Sequence, residues 1–176
     1  MTASVKLQWT RLTFKAHGVS GWKGFKQETH IKENSVLLSD RAVYVIRVQR
    51  PFSFTYGEKH SPVAYIGKGQ FQNRITSHLK SWIGHLSRRF PELKVDIYFC
   101  EPRVRHHGTI CEGVEADLIA RFVKHYGDRP LRNRNTPTDP YDRAYASEDL
   151  KILHPGRGGG WEWELSPLPS SHFYRS

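Results

Sequence analysis

Three short runs of the chain carry the β-branched, alternating pattern of strands. Residues 41–49 (Arg-Ala-Val-Tyr-Val-Ile-Arg-Val-Gln) predict a strand that Pro51 ends, Pro62–Gly67 predict a second, and Lys94–Cys100 a third. Residues 5–15 alternate as well, with Val5, Leu7, Trp9, Leu12 and Phe14 separated by polar residues, which suggests strand or hairpin; Gly18, Gly21 and Gly24 break that pattern. Two longer stretches, 70–86 and 110–126, have the period of an amphipathic helix, and the second is closed by Gly127 and Pro130. The polar, Gly57-containing stretch 52–61 reads as a loop. After Asn135 the pattern weakens, punctuated by Pro137, Pro140, Pro155, the Gly158–Gly160 run, Pro167 and Pro169. The order β-β-α-β-α predicts an α+β domain with a small, mostly antiparallel three-stranded sheet flanked by helices.

The helical period also sorts the chemistry. At about 100° per residue, Phe71, Ile75, Leu79, Trp82, Ile83 and Leu86 form one apolar stripe, and Arg74, His78, Ser81 and His85 a second beside it. That second stripe is either a solvated polar face or the edge of a cleft into which Arg74 and His78 reach while their stems pack. On the later helix, Val114, Leu118, Ile119, Phe122, Val123 and Tyr126 define an apolar arc with Glu115 near its middle. A carboxylate in an apolar arc requires a partner, either a buried cation such as Arg74 or a bound metal ion. Glu112 and Asp117, toward the edges, read as surface carboxylates.

Charge changes the picture further. The 176 residues carry a net charge of +10, which favours a polyanionic partner. Lys68–Phe90 hold five Lys or Arg and no acid, and Met1–Lys32 hold six against Glu28 alone; Asn135–Ser176 are mildly acidic. With 38% hydrophobic residues the chain can build a core. Two cysteines, Cys100 and Cys111, with no signal peptide and no long apolar run, suggest a cytoplasmic protein without a structural disulfide or a membrane span, nucleoid-associated if prokaryotic.

Tyr44 on the first strand, Tyr65-Ile66-Gly67-Lys68 on the second, Arg74 and His78 on one helix, Glu115 on another, and Pro130-Leu131-Arg132-Asn133 follow in an order that resembles the GIY-YIG nuclease superfamily. The resemblance covers roughly residues 41–135. It departs in two places: the first motif reads Ala-Val-Tyr, and the connection Val45–Ala64 is roughly twice the usual hairpin length. The resemblance implies a core over 41–135, a basic N-terminal extension over 1–40 packed on it and contacting DNA, and a C-terminal extension over 136–176. It implies a DNA endonuclease that hydrolyses phosphodiesters, of the type II restriction kind, with Mg²⁺ (or Mn²⁺) as cofactor and double-stranded DNA as partner. Cutting both strands would call for a homodimer or higher oligomer on DNA, or for sequential nicks. The alternatives are a repair or mobile-element nuclease and a non-catalytic nucleic-acid-binding module of the same fold.

By the same resemblance, Glu115 holds the metal and Arg74 neutralises the phosphate. Tyr44 is the general base or orients the water, with Lys68 as the cation that lowers its pKa or as the base itself. Tyr65 holds phosphate or water, His78 relays a proton or grips the phosphate, and Asn133, with Asn135 as a rival, fixes the site. Lys68, Arg74, Lys80, Arg88, Arg89, Arg132 and Arg134 are the expected DNA contacts, with the 51–61 loop as an additional one. Zinc at Cys100, His106, His107 and Cys111 fits no common ligand spacing. Asp139 with Asp149-Leu150-Lys151 mimics another nuclease pattern by chance. The loop Gly156–Gly160 lacks the flanking elements of a phosphate-binding loop, and Trp161 and Trp163 read as tail residues packed on the domain.

Overall fold

The computed structural model describes residues 4–32, 39–57, 59–102, 110–134, 143–168 and 170. In chain order it contains β1 (Ser4–Val5), β2 (Thr10–Lys15), α1 (Gly21–Thr29), β3 (Val43–Val48), β4 (Phe52–Tyr56), β5 (Lys59–Ser61), β6 (Val63–Lys68) and α2 (Phe71–His78). A π turn (Leu79–Ile83) leads into α3 (Gly84–Arg89), followed by β7 (Lys94–Cys100), α4 (Ile110–Tyr126), β8 (Ala144–Tyr145), α5 (Ser147–Leu150), a 3₁₀ turn (Lys151–Leu153) and β9 (Trp163–Leu165). The fold class is α+β. The rival Asn135, together with His106, His107 and Asp139, lies outside the described residues.

The central sheet has four strands, not three, in the order β2-β7-β3-β6, every pair antiparallel. The additional strand is β2, from the segment expected to be an extension. A buried carboxylate ties it in. Asp96 on β7 is 5% exposed and accepts from Arg11 Nε (3.1 Å) and Nη2 (2.9 Å), Thr13 Oγ1 (2.6 Å) and Gln49 Nε2 (2.7 Å). Strand alternation places all four donors on the face of Asp96, and their number offsets its desolvation.

One face of the sheet is aromatic. Phe14 meets Phe25 edge-on at 5.2 Å, Phe71 lies 4.8 Å from Phe99, and Tyr44 meets Phe71 at 5.8 Å. This packing explains why residues 21–29 are helical where their glycines predicted a break. Trp22 and Phe25, one turn apart, dock on Phe71 and Phe14, and Gly24 faces only Val19. Burial overrides the weak intrinsic propensity. The other face is covered toward β3 and β6 by α4, which buries Val114, Leu118 and Phe122.

The stretch expected as a loop, 52–61, is a hairpin of β4 and β5. β9 pairs in parallel with β4 to complete a second, three-stranded sheet, order β5-β4-β9. The polar residues that suggested a loop are paired: Thr55 Oγ1 donates to Glu164 and His60 lies 3.2 Å from the same carboxylate. Trp163 is 60% exposed rather than packed as tail, while Trp161 stacks under the Arg50 guanidinium at 5.1 Å. Cys100 and Cys111 are buried free thiols. Among the described residues no helix is long and apolar enough to cross a membrane.

Asp117 is the clearest departure from its sequence reading. It is 1% exposed, not superficial, and accepts from Arg143 Nη1 (3.0 Å) and the Tyr145 hydroxyl (2.7 Å). The C-terminal segment thus folds back onto α4 and supplies the partners that a helical wheel lacks. Asp117→Ala strands a half-buried guanidinium and phenol, and is expected to cost about 3 kcal/mol in urea unfolding. A loss below about 1 kcal/mol would mean this node does not anchor the segment.

Candidate active site

β6 is the outermost strand of the central sheet, and its side chains alternate across the two faces. Tyr65 and Gly67 share the face of Tyr44, which pairs with Gly67. Ile66 and Lys68 point to the other. A Cβ on Gly67 would overlap the Tyr65 ring, so the glycine is what lets that ring lie flat along the strand. The free edge of β6 is closed by Asn133, whose Oδ1 accepts from Ile66 N–H (3.0 Å) and whose Nδ2 donates to Ile66 C=O (2.7 Å). The neighbouring Arg132 N–H donates to Ala64 C=O at 2.9 Å. These bonds swing Arg132 and Arg134 toward the end of β6.

Arg74, from α2, donates to the Tyr65 hydroxyl at 3.0 Å. Tyr44 lies beneath, its ring 5.7 Å from that of Tyr65 and wholly buried. Arg74 and the Tyr65 hydroxyl approach the Tyr44 oxygen without reaching hydrogen-bond geometry. Burial holds the Tyr44 proton far more tightly than in a free phenol, reinforced by Tyr65 and opposed by Arg74. The expectation that Lys68 lowers this pKa is not met. Lys68 projects from the opposite face and pairs with Glu112 at 2.8 Å. The cation beside Tyr44 is Arg74.

Tyr65, Arg74, His78, Glu115, Arg132, Asn133 and Arg134 line one cleft of about 610 Å³, with Ser77, Ser81, Trp82 and Ile119. Glu115 reaches it from α4, around the edge of β6. Its carboxylate is partly buried and, among the described residues, has no salt-bridge partner, Arg74 included. Burial raises its pKa, against the opposing charges of Lys68 and Arg74. A carboxylate whose charge is incompletely compensated suits a hard cation that takes its remaining ligands from water and phosphate, as Mg²⁺ does. No cluster of three or more His, Cys, Asp or Glu occurs among the described residues, and Glu115 is the one carboxylate among the residues that line the cleft.

The expected cations divide into three groups. Arg74, Arg132 and Arg134 line the cleft, and Arg88 and Arg89 line a second cavity of about 470 Å³ with His85. Lys80 is exposed between them and Lys68 stands apart on its ion pair. The stripe Arg74-His78-Ser81-His85 is therefore not continuous, because the helix kinks at Ser81. Trp82 is the site residue that sequence reasoning missed. Its indole Nε1–H donates to His78 Nδ1 at 2.9 Å. The i, i+4 spacing from His78 was visible, but it was read as part of the apolar stripe.

Desolvation, with Arg74 and Arg132 nearby, lowers the His78 pKa from 6.5 to about 3. Between those values the unfolded chain binds a proton that the folded ring refuses. Stability is therefore full above about pH 6.5 and is lost as pH falls toward 3. His78→Phe is expected to flatten the stability–pH curve between about pH 6 and pH 4 by up to ~1.4 kcal/mol per pH unit. An unchanged slope in pH-stepped denaturation would show that His78 titrates normally.

Comparison with protein-family models, with curated proteins and with solved structures finds no match for this chain.

Proposed function

We propose that this chain is a Mg²⁺-dependent DNA endonuclease of the GIY-YIG kind. The observation that carries this reading is the convergence of Tyr65, Arg74 and Glu115 with Arg132 and Arg134 in one cleft, from four separate stretches of a basic chain. β3 and β6 with α2 and α4 form the part of the molecule that the resemblance describes, with β2 added to their sheet. The insertion between the two tyrosines forms the outer hairpin, which leaves their pairing across β3 and β6 intact.

Hydrolysis of a phosphodiester needs charge neutralisation at the phosphate, an aligned water and stabilisation of the departing oxygen. Arg74 supplies a guanidinium already oriented by Tyr65, so little reorganisation is needed when negative charge grows on the non-bridging oxygens. Arg132 and Arg134 extend the positive wall toward neighbouring phosphates. Tyr65, held by Arg74, directs its hydroxyl at a phosphate oxygen or the water. Glu115 would hold the cation, whose bound form supplies Lewis-acid stabilisation of the phosphate and leaving oxygens. Burial keeps the proton on Tyr44, so general-base action by its phenol demands the Arg74 charge at closer range than in the free protein. Asn133 holds β6 in register and is placed to support rather than react. The restriction-type substrate range and assembly on DNA belong to the same proposal, resting on the sequence resemblance.

Glu115→Gln is expected to abolish Mg²⁺-dependent nicking of plasmid DNA, by at least about 100-fold, while retaining DNA binding and raising the melting midpoint by roughly 2–5 °C. A variant that nicks like wild type, against a chelator control, would remove the metal assignment. If wild type nicks nothing with Mg²⁺ or Mn²⁺ while still binding duplex, the protein is a binding module. Arg74→Ala should slow the single-turnover cleavage step by about 10²–10³. A loss confined to affinity would reduce Arg74 to a phosphate contact.

A further inference from the structure

The helix that carries Arg74 and His78 does not run straight. Between Leu79 and Ile83 it widens into a π turn, and Ser81 leaves the helical region at φ −105° and ψ −112°. Gly84 admits this turn, since a Cβ there would stand 2.5 Å from the Leu79 carbonyl oxygen. Wide turns of this kind re-aim side chains. Here the turn faces Trp82 toward His78, with the rings 6.1 Å apart and steeply inclined. Trp82 is only 9% exposed and lines the cleft, so its indole N–H is a fixed donor.

That donor decides a proton. An indole N–H can only donate, so His78 Nδ1 must present a lone pair to it. The single proton of the neutral ring is then on Nε2. His78 Nε2 is buried and, among the described residues, has no hydrogen-bond partner. Its cleft is lined by the cations Arg74, Arg132 and Arg134 and the Tyr65 hydroxyl, with Glu115 as the one carboxylate among the described residues and with Asn133, Ser77 and Ser81. An unmatched N–H beside these cations is complementary to an anionic oxygen.

We infer that Trp82 is a positioning residue that fixes His78 as its Nε2–H tautomer, so that His78 donates a hydrogen bond to a phosphate oxygen in the cleft and does not take the proton of the attacking water. The identity of that oxygen rests on the nuclease reading; the tautomer does not.

The full-length protein, labelled with ¹⁵N at histidine, tests the two parts separately. In wild type the His78 signals should read Nε2 as protonated and Nδ1 as a hydrogen-bonded acceptor. Trp82→Phe, which keeps an aromatic ring and removes the donor, should mix the tautomers. Inorganic phosphate should shift the Nε2–H resonance of wild type. A principal Nδ1–H tautomer in wild type, an unaltered tautomer in Trp82→Phe, or an Nε2–H resonance indifferent to phosphate would each overturn the inference. These spectra require no turnover, so a chain that cuts no DNA would sink the nuclease reading and leave the tautomer measured.

Cleavage supplies a second arm that holds even if Trp82→Phe does not fold. His78→Gln places an amide N–H near Nε2, whereas His78→Asn places one near Nδ1, and neither is a base. A donor role predicts that His78→Gln cleaves about tenfold or more faster than His78→Asn, the worth of roughly one hydrogen bond. Equal loss in both would assign His78 to proton transfer and overturn the donor role.

Discussion

The outer edge of β6 is completed by a side chain. An edge strand exposes a row of unpaired backbone groups, and here the Asn133 amide supplies both the acceptor and the donor that Ile66 requires, as a neighbouring peptide would. Everything at the cleft depends on that closure. It fixes the twist and register at the end of β6, where Tyr65 and Gly67 turn toward α2 and Lys68 turns toward α4. It also anchors the segment that carries Arg132 and Arg134. A strand in place of Asn133 would cover the place where Glu115 and Arg74 reach around from opposite faces of the sheet.

Burial drives three groups at the site, Tyr44, Glu115 and His78, toward their neutral forms. Tyr44 and Glu115 hold their protons more tightly than free side chains do, and His78 binds one less readily, so each is driven toward its neutral form. Arg74 stays a cation, its pKa raised chiefly by Tyr44. The cleft therefore offers net positive potential with neutral hydrogen-bonding groups between its cations, an arrangement matched to an anion. Among the described residues Glu115 is the one carboxylate that lines the cleft, and burial holds its proton against the opposing charges of Lys68 and Arg74. In the proposed reaction, binding of cation and phosphate completes an electrostatic arrangement that the free protein leaves uncompensated.

Away from the cleft, the long connection between the two tyrosines has a structural use. Its hairpin recruits β9 to form a second sheet, with Arg50 donating to the carbonyls of Arg157 and Gly158 and lying over Trp161. The glycine-rich stretch 156–160 is held by this contact, with Gly156, Gly158 and Gly160 all at positive φ, where a side chain would be strained. The C-terminal segment is thus attached through this sheet, through Asp117 and through the parallel pairing of β8 with β1. The chain adds to its central sheet at the N-terminal end, through β2.

The sequence determined much of the core by itself. β3, β6 and β7 were legible from β-branched alternation. α4 was legible from its period together with Gly127 and Pro130, because local spacing and burial agree at those positions. Tyr44, Tyr65, Arg74 and Glu115 were found from their order along these elements. The glycines of α1 and the polar residues of β4 and β5 misled, since their conformation is decided by Phe14, Phe71 and β9, which lie far away in sequence. Asp117 looked superficial for the same reason, as its partners come from beyond the helix. Lys68 failed as the partner of Tyr44 because alternation along a strand sends adjacent residues to opposite faces. What only the tertiary structure decided is the direction of each polar group. The Trp82–His78 bond joins neighbours at i and i+4, but that the indole N–H meets Nδ1 is set by side-chain orientation, which spacing alone does not give.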